Sequence, residues 1–221
     1  MKKIISLLVF CLVFYGVTAL ANEEAYDVDQ VLEKIYQSVF ESPGISAQIT
    51  ISYLQNNREN VSVANLKYSG QHGLLRFELV EPVFLAGSIT VVDQNEKISK
   101  TYNPVSDLIM VSDLENMDMQ GEFSFSITGD ITTLFTFEGM EAKIDNITVS
   151  DQGLKYILRI DVSETQYLEV TVDSHLWLPV NIQIYDQGVY VGCIKLSDVK
   201  LNENFDASDI AALPNVREVR F

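Results

Sequence analysis

The sequence predicts an α+β protein in which one amphipathic helix is followed by a mainly antiparallel sheet. Three observations support this class: a helical apolar period near the start, period-two alternation along most of the remainder, and one aperiodic stretch between alternating regions. The 221-residue chain is 47% apolar, enough for an ordinary globular core. Its net charge of -16 argues against a nucleic-acid partner, because such partners are bound through surplus Lys and Arg.

Residues 1–21 have the pattern of a secretory signal peptide. A basic start precedes a mainly apolar run over residues 4–20, and the small residues Ala19 and Ala21 fit a cleavage site. We expect cleavage after Ala21, export, and a single domain over residues 22–221. The alternative is a retained membrane anchor, although the apolar run is shorter than the roughly 20 residues that span a bilayer.

One long helix is predicted at the start of this domain. Apolar residues between Val28 and Phe40 recur at the three-and-four spacing that places them on one face, and Asp27 precedes them in the N-cap position. Ser42-Pro43-Gly44 then ends the helix, because Pro and Gly both disfavour its continuation.

Most of the remaining chain alternates between apolar and polar residues. The run from Ile45 to Tyr53 alternates up to a turn at Asn56-Asn57, and the same pattern returns after residue 140. Such alternation indicates a sheet with one covered face and one solvated face, as in antiparallel sheets. The sequence therefore predicts a series of antiparallel hairpins.

The segment from Pro104 to Met140 differs from its surroundings. It is rich in Met and Phe but has no sustained period. We predict a short strand near Leu108 to Val111, followed by an apolar connection that contains one short helix capped at Asp130. Two interpretations remain open: an ordinary packed core, or a sheet that curves around a cavity with the first helix and this segment as a lid.

Residues suited to catalysis or metal binding are few. His72 and His175 belong to no spaced ligand pattern. Cys193 is the only cysteine beyond the signal peptide, so no intramolecular disulfide is expected, and we interpret it as a small buried apolar residue. The carboxylates are scattered singly, which leaves a secreted hydrolase as an alternative without a nominated catalytic pair. We expect no enzyme, no metal and no cofactor.

Several short segments occur in a characteristic order along the chain. They are Asn65-Leu66-Lys67-Tyr68, Leu75-Arg76-Phe77-Glu78-Leu79-Val80-Glu81-Pro82, Tyr102-Asn103-Pro104, Asp173-Ser174-His175-Leu176-Trp177-Leu178-Pro179 and Leu196-Ser197-Asp198-Val199-Lys200-Leu201-Asn202. In this order, and behind an opening helix, they resemble the outer-membrane lipoprotein carrier family LolA with its LolB, LppX and RseB relatives. The likeness covers essentially all of residues 22–221.

The resemblance implies a half-open, incomplete β-barrel whose concave face is covered by the N-terminal helix and a lid segment. It also implies a monomeric periplasmic carrier that binds lipoprotein acyl chains and moves them from the inner to the outer membrane. The implied partners are acylated lipoproteins or lipids, an inner-membrane release complex and an outer-membrane acceptor. The alternative is an RseB-like envelope-stress or lipid-sensing binding module without cargo transfer; such modules normally carry a further C-terminal domain, which we do not expect here.

For a carrier, the predicted lipid-binding residues are the apolar positions of the strands and of the lid. They are Ile49, Ile51, Tyr53, Leu66, Tyr68, Leu75, Phe77, Leu79, Ile89, Val91, Leu158, Ile160, Leu168, Val170, Ile182 and Ile184 on the sheet, with Phe123, Phe125, Leu134 and Phe135 on the lid. One feature departs from the family pattern. Carriers of this type have an Arg-Pro pair after the second strand whose Arg holds the lid shut, whereas this chain has Ser69-Gly70-Gln71-His72. We do not assign that role to Arg76.

Overall fold

The computed structural model describes residues 25–56, 58–114, 137, 140–151 and 153–220. The predicted first helix is present as α1, Val28–Phe40, and Asp27 is its N-cap. The Asp27 carboxylate accepts the backbone N–H of Gln30 at 2.9 Å, and the Gln30 side chain accepts the backbone N–H of Asp27 at 3.0 Å. This capping box satisfies two N–H groups that would otherwise lack partners at the helix start.

The described residues form one twelve-stranded sheet. The strands are β1 Ile45–Gln55, β2 Arg58–Ser69, β3 Leu74–Glu81, β4 Ile89–Asp93, β5 Ile98–Asn103, β6 Leu108–Asp113, β7 Glu141–Ser150, β8 Gly153–Asp161, β9 Gln166–Asp173, β10 Leu178–Asp186, β11 Val189–Leu201 and β12 Arg217–Arg220. A 3-10 turn, Val83–Leu85, joins β3 to β4, and a short helix, α2, spans Ala207–Ala211 before β12.

The strand order across the sheet is β12-β6-β5-β4-β3-β2-β1-β11-β10-β9-β8-β7. Strands β1 to β6 follow one another as antiparallel neighbours, after which the chain continues at the far edge with β7 and returns to β11 beside β1. Only β12, paired with β6, is parallel. Because β12 and β7 lie at opposite ends of this order, the curved sheet is not closed. The predicted half-open barrel is confirmed.

The two faces of the sheet follow from its register, because directly opposed antiparallel residues project to the same side. We define the inner face as the one that packs against α1, and the outer face as the opposite one. Val31, Ile35 and Val39 of α1 are fully buried and share one core with Leu66 of β2 and Leu158 of β8. The main hydrophobic core therefore lies between α1 and the inner face.

Polar and aromatic contacts hold α1 against the turn between β9 and β10. The Ser38 hydroxyl near the helix end donates to the carbonyl of Leu176 at 2.7 Å. At the helix start, the backbone N–H of Tyr26 donates to the hydroxyl of Tyr156 at 3.2 Å, and the Tyr26 ring meets the ring of Trp177 edge-on at 5.3 Å. Contacts with this turn, which lies within the segment Asp173–Pro179, and with Tyr156 of β8 thus hold α1 in position.

Residues 203–220, which we call the C-terminal strap, cross the outer face from β1 to β6. The strap is held by contacts to different strands of the sheet. Ser46 of β1 donates a hydrogen bond to Glu203, Lys67 of β2 lies over the ring of Phe205, and Arg76 of β3 donates to the carbonyl of Ala212. Lys100 of β5 forms an ion pair with Glu218, and Asp113 of β6 forms one with Arg220. Sequence patterning did not predict α2 or β12. Five helical and four strand residues are too few to show a period, and a parallel edge strand has no hairpin turn beside it.

Candidate functional site

The inner face gathers most of the predicted lipid-binding residues. Pairing of β1, β2 and β3 aligns Ile49 with Ala64, Leu66 with Phe77, and Tyr68 with Leu75. On the other half, Leu158 aligns with Val170, and Val170 with Ile182. Fourteen predicted residues lie on this face: Ile49, Ile51, Tyr53, Leu66, Tyr68, Leu75, Phe77, Leu79, Leu158, Ile160, Leu168, Val170, Ile182 and Ile184.

Coverage of this face varies along the strands. Beneath α1, Leu158, Ile160 and Val170 are fully buried, so this part is packed as a core. Towards the β1–β2 and β10–β11 hairpins, Ile51 and Ile184 are only half-buried and Tyr53 is 40% exposed. The inner face therefore has a closed centre and an accessible apolar end.

Two predicted lining residues lie on the other face. Ile89 is opposite Glu78, and Val91 is opposite Arg76, whose side chain reaches the C-terminal strap. The expectation that Ile89 and Val91 line the inner face is therefore wrong. The four predicted lid residues, Phe123, Phe125, Leu134 and Phe135, lie outside the described residues, as does the helix expected at Asp130.

Strands β4 to β6 give the inner face a more polar area, which the lipid-binding residues predicted from the sequence do not include. Thr90 and Thr101 are opposite each other, with hydroxyl oxygens 3.2 Å apart. Ser99 is opposite Val92 on one side and Ser112 on the other. The alternating pattern contained this information. The inner-face positions where other strands have Leu, Ile or Phe are here occupied by Thr90, Ser99, Thr101 and Ser112.

Charged and aromatic residues collect on the outer face of β8 to β11. The Arg159 guanidinium lies 3.9 Å from the ring centroid of Tyr167, which stacks on Tyr185 at 4.8 Å with an interplanar angle of 4°. Tyr185 meets Tyr190 edge-on at 5.9 Å. The hydrogen bond from Arg159 to Asp161 raises the pKa of the guanidinium, and burial raises the pKa of the Tyr185 phenol. The outer face of these strands thus holds the charged and aromatic residues that alternate with the apolar residues of the inner face.

The residues considered for catalysis are dispersed. His72 lies in the β2–β3 turn, where its carbonyl accepts a hydrogen bond from the side-chain amide of Asn95 at 2.8 Å. His175 lines an open cleft of about 390 Å³ beside Lys34.

Cys193 is a free, half-buried thiol on the outer face, 3.3 Å from the Ser52 hydroxyl, so the expectation of a buried apolar residue is wrong. Among the described residues, no group of three or more His, Cys, Asp or Glu could hold a metal ion.

One loop exposes large apolar side chains. In the 3-10 turn between β3 and β4, Val83 is 87% exposed and Phe84 is 73% exposed. A valine and a phenylalanine side by side at a loop tip are costly in water and suit contact with an apolar surface.

Within the described part of the chain, no helix is both long and apolar enough to cross a membrane.

No family model and no curated protein sequence matches this chain. Among solved structures, it is similar to an uncharacterized conserved protein from Thermus thermophilus, with a TM-score of 0.63, 15% identity, and coverage of 87% of this chain and 98% of that one. It is also similar to MucB of the Pseudomonas aeruginosa MucA/MucB complex, with a TM-score of 0.52, 9% identity and 83% of this chain covered.

This chain spans 60% of that MucB chain. A LolA superfamily protein from Nitrosomonas europaea aligns with a TM-score of 0.48 and 15% identity over 85% of this chain and 99% of that one. At such identities a likeness concerns the fold alone. Together with the open sheet and its covering helix, the matches to the Thermus thermophilus protein and to MucB show the fold: the chain has the half-open barrel that its sequence predicted.

Proposed function

We propose that this protein is an exported periplasmic carrier that binds the acyl chains of lipoproteins on its inner face. Its partners would be an inner-membrane release complex and an outer-membrane acceptor. The observation that carries the proposal is the division of the sheet into faces. On β8 and β9, Arg159 is paired with Glu169 on the outer face, while Leu158 and Val170 are paired on the inner face. The inner face thus offers apolar surface where the outer face offers charge.

Burial of hydrocarbon explains why such a face would bind acyl chains without catalytic residues. Each buried methylene contributes about 0.8 kcal/mol, so a chain of about sixteen carbons gains on the order of 10 kcal/mol on leaving water. A lipoprotein with several chains would leave a membrane very slowly unless another apolar surface replaced the lipid. The inner face is such a surface, and the net charge of -16 keeps the loaded carrier soluble and repels it from anionic membranes.

Access would begin at the open end of the inner face. Ile51, Tyr53 and Ile184 are accessible apolar residues at this end, so a chain end would meet them first. Deeper entry requires α1 to move, and the hydrogen bonds described above that tie α1 to the sheet are few, at Tyr26 and Ser38. Displacement of α1 would then open the core beneath it to cargo.

Arg76 does not hold a cover over the inner face, so the closed state of this carrier would depend on other contacts than in the family type. Its side chain lies on the outer face and donates to the carbonyls of Ile210 and Ala212, so it binds the C-terminal strap and not a cover of the inner face. The role that the family gives to the Arg of Arg-Pro is therefore not transferred to Arg76. In this proposal, packing of Val31, Ile35 and Val39 keeps the empty protein closed.

A matched pair of variants tests the proposal. Ile51 and Val61 lie in adjacent register positions of β1 and β2 but on opposite faces, and both are accessible to solvent. We expect Ile51→Glu to lower the affinity for a fluorescent fatty-acyl probe at least tenfold, because a bound acyl chain would remove the carboxylate from water without pairing it. Val61→Glu should leave the affinity unchanged. Equal affinities in all three folded proteins, or no probe binding by the wild type, would exclude an acyl site on the inner face.

The second candidate function is a MucB-like binding module that senses lipid or protein and delivers no cargo. It is favoured by the similarity to MucB, which has been solved in complex with MucA. Transfer of a fluorescent lipopeptide from donor to acceptor vesicles separates the two functions. A carrier accelerates transfer in proportion to its concentration, whereas a sensing module binds the lipopeptide and leaves the transfer rate unchanged.

A further inference from the structure

One buried hydroxyl on the inner face has no hydrogen-bond partner. Ser99 is 2% exposed, and its Oγ is the only buried side-chain oxygen or nitrogen among the described residues without one. Buried polar groups in folded proteins are almost always paired, and an unpaired one calls for an explanation such as strain, a functional role, or a bound water or ion. Ser99 is the second residue of β5 and pairs in regular register with Val92 of β4 and Ser112 of β6.

Other hydroxyls surround Ser99 on the same face. Ser112 is its partner on β6, and Thr101 follows it at the next inner position of β5, with Thr90 opposite on β4. We call these four side chains the hydroxyl patch. Thr90 and Thr101 share one hydrogen bond at 3.2 Å, and Ser99 is the buried member of the patch whose hydroxyl has no partner.

A buried, mainly apolar row leads from the hydroxyl patch across the sheet. From Ser99 the inner-face partners are Val92 on β4, Leu75 on β3, Tyr68 on β2 and Ile45 on β1. Four strand spacings separate β5 from β1, which is about 19 Å and about the extended length of a sixteen-carbon chain. The row therefore joins a free hydrogen-bond donor to apolar surface of the length of one acyl chain.

We propose that the hydroxyl patch binds the ester carbonyl at the head of an acyl chain, with the Ser99 hydroxyl as donor and the hydrocarbon along the apolar row. An ester carbonyl accepts a hydrogen bond and carries no charge, so it suits a buried neutral donor. The row is buried in this structure, so the ligand replaces the side chains that cover it. This inference rests on the proposed function and adds the orientation of the ligand: its head lies over β5 and its tail points towards β1.

Two competitors that differ only in their carbonyls test the orientation. Dioctanoylglycerol has two ester carbonyls, and dioctylglycerol ether has none but carries the same number of chain carbons. Both displace a fluorescent acyl probe from the wild type, and we expect the ester to compete about fivefold better, the effect of one hydrogen bond. In Ser99→Ala the two should compete equally. Ser197→Ala, an outer-face serine of β11 opposite Gln48, should keep the wild-type preference.

The outcomes separate this inference from the function beneath it. If neither glycerol compound displaces the probe, acyl binding itself is contradicted. If both displace it equally well in the wild type, or if Ser99→Ala keeps the preference for the ester, acyl binding stands and the role of Ser99 is overturned. Thermal unfolding of the unliganded proteins verifies the fold: Ser99→Ala should melt no lower than the wild type, because it loses an unpaired buried hydroxyl.

The glyceryl ester occurs both in free lipids and in acylated peptides. A dioctanoylglyceryl-cysteine peptide, added as a third competitor, distinguishes these sources. Stronger competition by the peptide than by dioctanoylglycerol, lost together with the ester preference in Ser99→Ala, supports an acylated-protein ligand. Equal or weaker competition by the peptide assigns the ester site to free lipid and contradicts a lipoprotein as the preferred occupant.

Discussion

Arg76 of β3 donates a hydrogen bond of 2.5 Å from its guanidinium to the carbonyl oxygen of Ala212, just after α2. The same nitrogen lies 3.4 Å from the carbonyl of Ile210, and the other terminal nitrogen pairs with Glu78. The Arg76 side chain is 13% exposed and Ile210 is fully buried. One arginine thus fixes the centre of the C-terminal strap to the outer face of the sheet.

This contact predicts a difference between two arginines that bind the strap to the sheet. Arg76→Ala should lower the free energy of unfolding by about 2 to 3 kcal/mol, because it removes charge-assisted hydrogen bonds to backbone carbonyls of the strap. Arg220→Ala, which removes a strongly exposed ion pair with Asp113, should lower it by less than about 1 kcal/mol. Urea unfolding of both variants measures the difference. Equal losses would mean that the strap is held along its length and not at Arg76.

The core between α1 and the sheet predicts a large effect of a small truncation. Ile160 on β8 is fully buried, so Ile160→Ala should cost about 2 to 5 kcal/mol through lost burial and the cavity that remains. Val162, two residues further and 46% exposed, provides the control. Val162→Ala should change stability by about 0.5 kcal/mol or less. A small loss in Ile160→Ala would indicate that α1 does not pack tightly on β8.

The stacked tyrosines predict a loss of stability in alkali. Burial, with the neighbouring Glu169 and Tyr167, raises the Tyr185 pKa above its ordinary value of 10.0. A pKa that is higher in the folded state means that the neutral phenol stabilises the fold below pH 10, and this stabilisation is lost as the pH rises through the folded-state pKa. Tyr185→Phe should therefore lose less stability than the wild type above about pH 10.

Unfolding in urea at several alkaline pH values measures this slope. Tyr36→Phe, at an exposed position of α1, is the control for removing a tyrosine from the chain. It should follow the wild-type curve, whereas Tyr185→Phe should be flatter. Parallel curves for all three proteins would exclude a contribution of the Tyr185 phenol to the alkaline transition.

The exposed turn between β3 and β4 predicts contact with membranes. Removal of Phe84 from water into a lipid interface contributes about 2 kcal/mol, so Phe84→Ser should weaken binding to phosphatidylcholine vesicles more than tenfold. Val105→Ser, at another turn and 77% exposed, should bind like the wild type. Vesicle flotation compares the proteins. Loss of binding in Val105→Ser to the same extent would assign the effect to general surface hydrophobicity.

The helical spacing of apolar residues was sufficient to predict α1, and alternation predicted the main strands and most of the inner face. It failed at Ile89 and Val91 for a physical reason. The C-terminal strap covers the outer face of β3 to β6, so apolar residues such as Val91, Ile109 and Val111 are buried there too. Where both faces of a strand are buried, its pattern no longer indicates which face is the inner one.

Ser99 could not be identified from its own neighbourhood in the sequence. The residues around it, Ile98, Lys100 and Thr101, fit an ordinary strand and do not distinguish Ser99 from other polar strand residues. Its significance depends on Val92 and Ser112, which pair with it from two other strands, and on the burial of Ser99 itself. Register of this kind is fixed by tertiary packing and not by local pattern.

The central claim is that the inner face holds acyl chains. Native mass spectrometry of the protein purified under mild conditions from a periplasmic extract tests it most directly. We predict additional mass peaks that correspond to bound acylated molecules in the wild type and in Val61→Glu, and their absence in Ile51→Glu. An unliganded mass in all three proteins, or the same bound mass in Ile51→Glu as in the wild type, would contradict the claim.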